Sequence, residues 1–347
     1  MDKLFSRRDL ELDKDLRLVT SPSPHLRSGE TVSGAMRDVL IALLPVTVVS
    51  IILYKLNAVF LIAVCLVTAV LTELIFRKLL GKKSTLGDSS AMVTGLLVAL
   101  CFGPGTAWWT AALATFIGVG LAKELMGGLG WNRYNPALFG RVSVILIVPL
   151  FQLVTSGFAP LKPYLGSIDT LTQATPLALL AQGEGMPSLL KVLIAHPGGA
   201  LGETTALFVI LGGLYLLRKG HISLHIPISI VATVFIIGLA TIPTLGWEGP
   251  FYHVLTGGVL LGALFMATDW VTSPITTKGK IIFGIGIGLL LMIFRLWLAP
   301  TEGTAFSILI MNAFVPLIDR YTRRLKFGEV KEGGATVVPA KPVEKSS

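Results

Sequence analysis

The segment best suited to carry chemistry is a hydroxyl-rich run that ends at a proline, Asp169-Thr170-Leu171-Thr172-Gln173-Ala174-Thr175-Pro176. Proline disfavours helical backbone at the residue before it, so we expect Thr175 to be extended with an accessible hydroxyl. Pro176 also suits the first position of a short helix over residues 177–182. A phosphate ester on Thr175 would then lie among the unpaired N–H groups of the helix N-terminus. The alternative is that Thr175 is simply the N-cap of this helix.

The composition defines the class of protein that must position this segment. Hydrophobic residues make up 53% of the 347 residues, charged residues make up 14%, and the mean hydropathy is +0.76. A soluble domain has about a quarter of its residues charged. We therefore predict an all-α polytopic membrane protein embedded in a lipid bilayer. The net charge of +9 comes from basic residues in loops and tails. Such a distribution indicates membrane orientation and not nucleic-acid binding.

About ten hydrophobic segments are long enough to be transmembrane helices. They cover approximately residues 38–54, 57–76, 90–104, 107–122, 138–154, 200–217, 224–242, 252–268, 281–298 and 302–319. If the N-terminus is cytoplasmic, all but four of the 29 Lys and Arg residues lie on the cytoplasmic side, as the positive-inside rule requires. The four exceptions are Lys55, Lys162, Lys191 and Arg295. We predict that both the N- and C-termini are cytoplasmic.

This topology divides the chain into five parts. They are a cytoplasmic N-terminal arm (1–37), a first membrane repeat of five helices (38–154), an extracytoplasmic loop that contains Thr175 (155–199), a second membrane repeat of five helices (200–319) and a cytoplasmic basic, partly disordered tail (320–347). The arm is too charged to be a signal peptide. The loop is the longest between spans, and a loop of that length in a compact protein is usually functional.

An internal similarity suggests that the two membrane repeats are inverted. Thr94-Gly95-Leu96-Leu97-Val98-Ala99-Leu100 recurs loosely as Thr256-Gly257-Gly258-Val259-Leu260-Leu261-Gly262-Ala263-Leu264. The two passages open the third and eighth spans, which are both short. Five spans separate them, so the two halves would have opposite orientations, and such segments indicate a binding site near the membrane midplane. The alternative is that small residues recur because helices pack closely there.

Metal chemistry is poorly supported by the sequence. Cys65 and Cys101 lie in different spans and show no Cys-x-x-Cys spacing, so we predict neither an iron–sulfur cluster nor another metal site in this chain. Buried structural cysteines are the simpler interpretation.

Several passages resemble one protein family in their order and spacing. They are Asp88-Ser89-Ser90-Ala91 leading into Thr94-Gly95, the run from Gly127 to Ala137, the Thr175 motif, Leu201-Gly202-Glu203-Thr204, Met266-Ala267-Thr268-Asp269 with Ser273-Pro274, and Glu302-Gly303 through Met311-Asn312-Ala313. From about Ser23 to Arg323 the chain resembles the RnfD/NqrB family. This family contains the RnfD component of Rnf ion-translocating electron-transport complexes and the NqrB component of the sodium-translocating NADH:quinone oxidoreductase. The short N-terminal region favours the Rnf type.

The resemblance implies a covalently bound flavin. In the family, the last Thr of the pattern D-x-x-[ST]-x-A-T carries FMN through a phosphoester bond, which here corresponds to Thr175. A flavin transferase would recognise Asp169 and Thr172, and Ala174 would keep the approach to the hydroxyl open. The family usually has Gly where this chain has Gln173, a departure that concerns recognition by the transferase. The implied function is electron transfer through FMN coupled to Na⁺ or H⁺ translocation across a bacterial cytoplasmic (inner) membrane.

The resemblance also implies a second, non-covalent flavin, riboflavin or FMN, within the membrane domain. Our candidates are Asn132 and Asn135, whose amides can bond the edge of an isoalloxazine ring, together with Asp269. The alternatives are turn or capping chemistry around Pro136 for the Asn pair and a helix cap for Asp269. The implied partners are an extracytoplasmic FMN-bearing subunit, iron–sulfur subunits and the flavin transferase.

Other ionisable residues in or near the spans are costly in lipid and need an explanation. Glu73, Lys123 and Glu124 lie near predicted cytoplasmic ends, where snorkelling or pairing with basic neighbours is sufficient. Two other functional classes remain open. A passive channel or secondary transporter would also use broken short helices, and a structural scaffold would carry an inert flavin motif. A covalent flavin distinguishes the redox subunit from both.

Overall fold

The computed structural model describes residues 31–83, 85–154, 187–196, 198–241, 247–298 and 303–322. These residues form helices joined by loops, and no β-strand lies among them. Thr175 and the motif residues Asp169, Thr172 and Ala174 fall outside the described residues.

The helices before the predicted extracytoplasmic loop are numbered α1 to α5. They are α1 (Val32–Tyr54), α2 (Leu56–Leu79), α3 (Ser90–Cys101), α4 (Trp108–Phe116), which continues as a π-helix over Ile117–Leu125, and α5 (Pro136–Val154). Helix α1 begins earlier than residue 38, so the first part of this helix lies within the predicted arm.

The helices after residue 186 are numbered α6 to α12. They are α6 (Leu189–Ile194), α7 (Ala206–Arg218), α8 (His225–Thr241), α9 (Gly249–Leu255), α10 (Val259–Leu261), which continues as a π-helix over Gly262–Met266, α11 (Thr277–Ile293), which continues as a π-helix over Phe294–Leu298, and α12 (Gly303–Thr322). Each hydrophobic segment predicted from the sequence therefore contains a helix.

Helix length and composition support a multi-pass membrane protein. Within the described ranges, three helices are long and apolar enough to cross a bilayer, over Val32–Tyr54, Leu56–Leu79 and Thr277–Leu298. A fourth candidate is the bent pair Gly249–Leu255 and Val259–Met266, whose two parts meet at 55°. The other apolar helices, such as Ser90–Cys101, are shorter. The number of ten spans and the inverted repeat stay predictions.

The bend between α9 and α10 has a local cause in the sequence. Gly257 and Gly258 have φ angles of 65° and 68°, in the left-handed region that glycine adopts without strain. The break therefore interrupts the predicted span 252–268. Thr256 and Gly257 lie in this break, whereas Thr94 and Gly95 lie inside α3. The two similar passages thus occupy different positions in their helices.

Helix α3 lies at the centre of the bundle. Every residue of α3 except Met92 is buried, and α3 contacts α1, α2, α4 and α5. Close approach of the outer helices depends on small residues. A Cβ atom at Gly140 of α5 would overlap the carbonyl oxygen of Ala114 in α4, and one at Gly212 of α7 would overlap that of Ala42 in α1. These contacts hold α4 against α5 and α1 against α7.

Candidate functional site: a cavity at the ends of α3 and α10

A mostly apolar cavity lies where α1, α3, α7, α10 and the loop before α5 meet. Its cavity volume is about 90 Å³, and all the empty space between its walls, including the open mouth, is about 790 Å³. Apolar side chains such as Met36, Leu97 and Phe265 form most of the wall. Polar groups are few, a combination that is typical of pockets for small molecules and cofactors. We call this space the inner cavity.

The structure brings the three predicted flavin-binding residues together. Asn132, Asn135 and Asp269 all line the inner cavity, although Asp269 lies in a distant part of the chain. Asn132 and Asn135 belong to the loop that precedes α5, and Asp269 belongs to the loop that follows α10. The grouping inferred from the sequence therefore corresponds to one location in the fold.

Asn135 has a structural role in addition to its place in the cavity wall. Its Oδ1 accepts hydrogen bonds from the backbone N–H groups of Ala137 at 3.0 Å and Leu138 at 3.2 Å, so Asn135 is the N-cap of α5. Its Nδ2 donates to the carbonyl oxygen of Met266 at 3.1 Å. The capping alternative is thus found at Asn135, and the cap also ties the start of α5 to the end of α10.

Asn132 differs from Asn135 because half of its amide has no partner. Its side chain is buried, and its Nδ2 donates to the carbonyl oxygen of Tyr134 at 3.3 Å. Its Oδ1 is buried and accepts no hydrogen bond from any described residue. A buried polar atom without a partner costs about 1–3 kcal/mol. Asn132 lines the inner cavity, and a rotation of its side chain would bring this oxygen to a ligand N–H group there.

Asp269 closes the wall next to Asn132. It is half-buried, and its Oδ2 accepts a hydrogen bond from Thr272 Oγ1 at 3.0 Å. Burial raises the pKa of Asp269, while hydrogen bonds from Thr272, from the backbone and from Asn132 act in the opposite direction. Asp269 is not the cap of α11, because Thr276 occupies that position and accepts from the backbone N–H of Gly279 at 3.0 Å. The helix-cap alternative for Asp269 was therefore wrong.

Lys123 connects the inner cavity to a group of buried charges. Its Nζ donates to Ser90 Oγ at 2.7 Å and lies 3.6 Å from Glu73 Oε1 and 3.7 Å from Glu124 Oε1. Arg77 Nε lies 2.6 Å from Glu124 Oε2. We call Glu73, Arg77, Lys123 and Glu124 the buried ion network. The predicted pairing is confirmed, but Lys123 does not snorkel, since it is only 1% exposed.

A further polar contact in the wall was missed from the sequence. His221 Nε2 lies 2.8 Å from Asp38 Oδ2, and the Tyr215 hydroxyl donates to Asp38 Oδ1 at 2.7 Å. Trp270 Nε1 donates to the carbonyl oxygen of His221 at 2.6 Å. The histidines looked scattered in the sequence. One feature of the sequence was consistent with this contact: Asp38 and His221 both lie at predicted cytoplasmic ends of spans.

A second polar group stabilises the broken helix away from the inner cavity. Arg295 was assigned to the extracytoplasmic side, yet it is buried within the π-helical end of α11. Its guanidinium donates to the carbonyl oxygens of His253, Thr256 (2.7 Å) and Gly257 (3.4 Å). These carbonyls belong to the end of α9 and the break after it, where helical partners are missing. Glu203 lines a smaller cavity beside the same break.

The part of the chain that the structure describes offers no metal site. No group of three or more His, Cys, Asp or Glu residues comes together there in a way that could hold a metal ion. Cys65 and Cys101 are buried in the neighbouring helices α2 and α3.

Comparisons with known proteins place these observations in a family. The model of the NQR2, RnfD, RnfE family matches residues 19–328. The chain is 40% identical over 321 residues to the D subunit of the Na⁺-translocating ferredoxin:NAD⁺ oxidoreductase complex of Acetobacterium woodii, a match that covers 91% of this chain and 97% of the relative. It is 38% identical over 332 residues to the D subunit of the proton-translocating ferredoxin:NAD⁺ oxidoreductase complex of Clostridium ljungdahlii, covering 92% and 98%. The D subunit of the ion-translocating oxidoreductase complex of Stutzerimonas stutzeri is 36% identical over 332 residues, covering 87% and 94%. The chain therefore belongs to the NQR2, RnfD, RnfE family.

Proposed function

We propose that this chain is RnfD, the membrane flavoprotein component of a bacterial Rnf-type ion-translocating ferredoxin:NAD⁺ oxidoreductase complex. In this role it passes electrons through bound flavin in the cytoplasmic (inner) membrane, and the complex couples this transfer to ion translocation. The observation that carries the proposal is the inner cavity, where the buried Oδ1 of Asn132 lacks a partner among the described residues. The similarity to RnfD proteins over almost their full length supports the same function.

The inner cavity is the proposed site of a non-covalent flavin, riboflavin or FMN. The apolar walls suit the faces of an isoalloxazine ring, and the ring edge offers the N–H donor that Asn132 Oδ1 needs. Asp269 and Asn135 border the same space. The protein supplies binding, geometry and electrostatics, while the flavin supplies the redox chemistry.

The proposed covalent flavin is FMN, attached to Thr175 through a phosphoester bond. The supporting observations are the motif residues Asp169, Thr172 and Ala174, and the position of Thr175 directly before Pro176. A tethered flavin cannot diffuse away from an exposed loop. This property suits a carrier that exchanges electrons with another protein.

The proposed topology has ten spans in two inverted five-helix repeats, 38–154 and 200–319. The arm (1–37) and tail (320–347) are cytoplasmic, and the loop (155–199) is extracytoplasmic. Two observations support it: the basic residues concentrate on one predicted side, and π-helical segments end both the fourth and the ninth predicted spans. A cysteine introduced at Ser167 should react with an impermeant thiol reagent in intact cells. Labelling that requires lysis, in the absence of partner subunits, would contradict this topology.

The proposed partners are the other subunits of the complex, including an extracytoplasmic FMN-bearing subunit and iron–sulfur subunits, and a flavin transferase for maturation. The named relatives translocate different ions, Na⁺ in Acetobacterium woodii and protons in Clostridium ljungdahlii. Either ion is compatible with the proposal. The alternative within the family is NqrB, the corresponding component of a sodium-translocating NADH:quinone oxidoreductase.

The covalent flavin is tested by fluorescence in a denaturing gel, on protein co-expressed with its flavin transferase. The wild type should fluoresce, and its intact mass should exceed the sequence mass by one FMN minus water. Thr175→Ala should abolish both signals. Thr170→Ala, a change at a variable position of the same motif, is the matched control and should retain them. A fluorescent Thr175→Ala band would identify another acceptor residue.

A further inference from the structure

His221 separates the inner cavity from a second, more polar space. This outer cavity has a volume of about 210 Å³ and is lined by polar side chains that include Ser223, Ser273 and Lys280. It shares four wall residues with the inner cavity, namely His221, Ile222, Thr268 and Trp270. Its volume is sufficient for several water molecules. Among the four shared residues, His221 is the one with an imidazole, the side chain that most often acts as a general acid or base.

The surroundings of His221 hold its imidazole ring in a fixed orientation. Asp38 Oδ2 lies 2.8 Å from Nε2, and Asp38 is itself fixed by the Tyr215 hydroxyl at 2.7 Å and by Lys219 Nζ at 3.5 Å from Oδ1. Trp270 holds the His221 backbone through its indole N–H. A carboxylate in this position orients an imidazole and stabilises its protonated form, as in proton-transferring Asp–His pairs of enzymes.

We propose that His221 is the proton donor and acceptor for the flavin ring in the inner cavity, and that Asp38 is its positioning residue. This inference rests on the proposed function, because it requires a ring in that cavity. Since Nε2 faces Asp38, the exchange is assigned to Nδ1. In this role the Nδ1–H of the His221 imidazolium would supply the proton that accompanies reduction of a bound ring by an iron–sulfur donor, which would leave the imidazole neutral. The imidazole would regain a proton from solvent through water in the outer cavity, and on oxidation of the ring His221 would accept the proton back.

The charged groups around His221 come from several elements. Asp38 of α1 contacts His221 directly. Tyr215 and Lys219, at the end of α7, contact Asp38. Asp269 and Lys123 line the inner cavity, and Lys280 of α11 lines the outer cavity, where its Nζ lies 3.3 Å from Ser223 Oγ. Asp38 is therefore the charged group that most directly orients the His221 ring.

The test follows reduction of the extractable flavin in the purified, fully assembled complex by rapid mixing with dithionite, between about pH 6 and pH 9. The wild-type rate should fall as one group deprotonates and should be slower in D₂O. In His221→Gln the reduction should be at least about tenfold slower, since general acid catalysis contributes about 10²–10⁴-fold, and its pH dependence should be lost. Added imidazole should restore part of the rate. His225→Gln, an exposed histidine at the start of α8, is the control and should behave as the wild type.

A second variant separates proton transfer from a purely structural role. Asp38→Asn keeps the imidazole but removes the carboxylate that orients it, so flavin reduction should be slower than in the wild type while its pH dependence is kept. If His221→Gln retains its flavin and shows the wild-type rate and pH profile, the inference is overturned. If His221→Gln loses the flavin, a wild-type reduction rate in Asp38→Asn overturns it instead. Absence of extractable flavin from the wild type would overturn the proposed function itself, and this inference with it.

Discussion

Two buried polar regions lie next to each other in this protein, and their polar groups are stabilised in different ways. In the buried ion network, two carboxylates and two basic groups compensate each other, with Arg77 2.6 Å from Glu124 and Lys123 between Glu124 and Glu73. In the wall of the inner cavity, Asn132 Oδ1 is buried without a hydrogen-bond partner among the described residues. The Glu124 oxygens in the network also lack a hydrogen bond, but each has a counter-charge within 4 Å. A buried group whose charge is balanced by its neighbours is stable without a ligand. A buried acceptor that has no partner and lies next to a cavity needs a ligand that donates a hydrogen bond to it. The comparison therefore assigns a structural role to the network and a binding role to the wall.

The largest expected effect comes from breaking the buried ion network. Arg77→Gln or Glu124→Gln leaves the buried ion network with one uncompensated charge, and removing one partner of a buried pair typically costs about 3–5 kcal/mol. The double variant should be less destabilised than the sum of the two single variants, because it removes both charges. The measurement is the melting temperature of the purified protein in detergent.

The matched control for this prediction is Lys78→Gln, a change at the neighbour of Arg77 that lies outside the network. Its melting temperature should stay close to that of the wild type. Equal melting temperatures for Arg77→Gln and Lys78→Gln would show that the network is not structural.

A smaller effect on stability is expected at Asn135, which combines a structural contact with a place in the cavity wall. Asn135→Leu removes the N-cap of α5, which costs about 0.5–2 kcal/mol, and it also removes an amide from the wall. We expect a lower melting temperature together with less extractable flavin, while FMN on Thr175 remains. Asn135→Ser keeps a capping oxygen and should recover most of the stability. If the amount of extractable flavin is unchanged in Asn135→Leu, Asn135 acts only as the N-cap of α5.

The sequence predicted the helical class and the approximate position of every described helix except α6, because a long apolar segment in a membrane must form a helix to pair its backbone groups. Helix α6 lies in the predicted extracytoplasmic loop, where no helix was predicted over Leu189–Ile194. The sequence also grouped Asn132, Asn135 and Asp269, through a family resemblance. The break at Gly257 and Gly258 was not predicted, since the same residues are compatible with close helix packing. The pair Asp38 and His221 was not predicted either. Their contact joins positions 183 residues apart and depends on how α1 packs against α7.

The smallest expected effect is a pH dependence of stability that arises from Asp269. Its folded pKa is raised above the ordinary value of 3.8 by burial. The stabilising contribution of the protonated group is therefore complete below about pH 4 and is lost as pH rises through the folded pKa. Asp269→Asn should remove this pH dependence. The melting temperature of the variant should therefore rise relative to that of the wild type as pH increases. If the difference in melting temperature between the variant and the wild type does not change with pH, or changes in the opposite direction, the pH dependence does not arise from Asp269.

The most direct test of the binding role is the flavin content of Asn132→Leu. The variant is purified after co-expression with the flavin transferase, and flavin released by denaturation is separated from flavin that remains attached to the chain. The comparison predicts that Asn132→Leu loses the extractable flavin, keeps the Thr175-linked FMN and shows only a small loss of melting temperature, because the hydrogen bond from Asn132 Nδ2 to the carbonyl oxygen of Tyr134 contributes about 0.5–1.5 kcal/mol. Extractable flavin at the wild-type level in this variant would show that the inner cavity is not the flavin site.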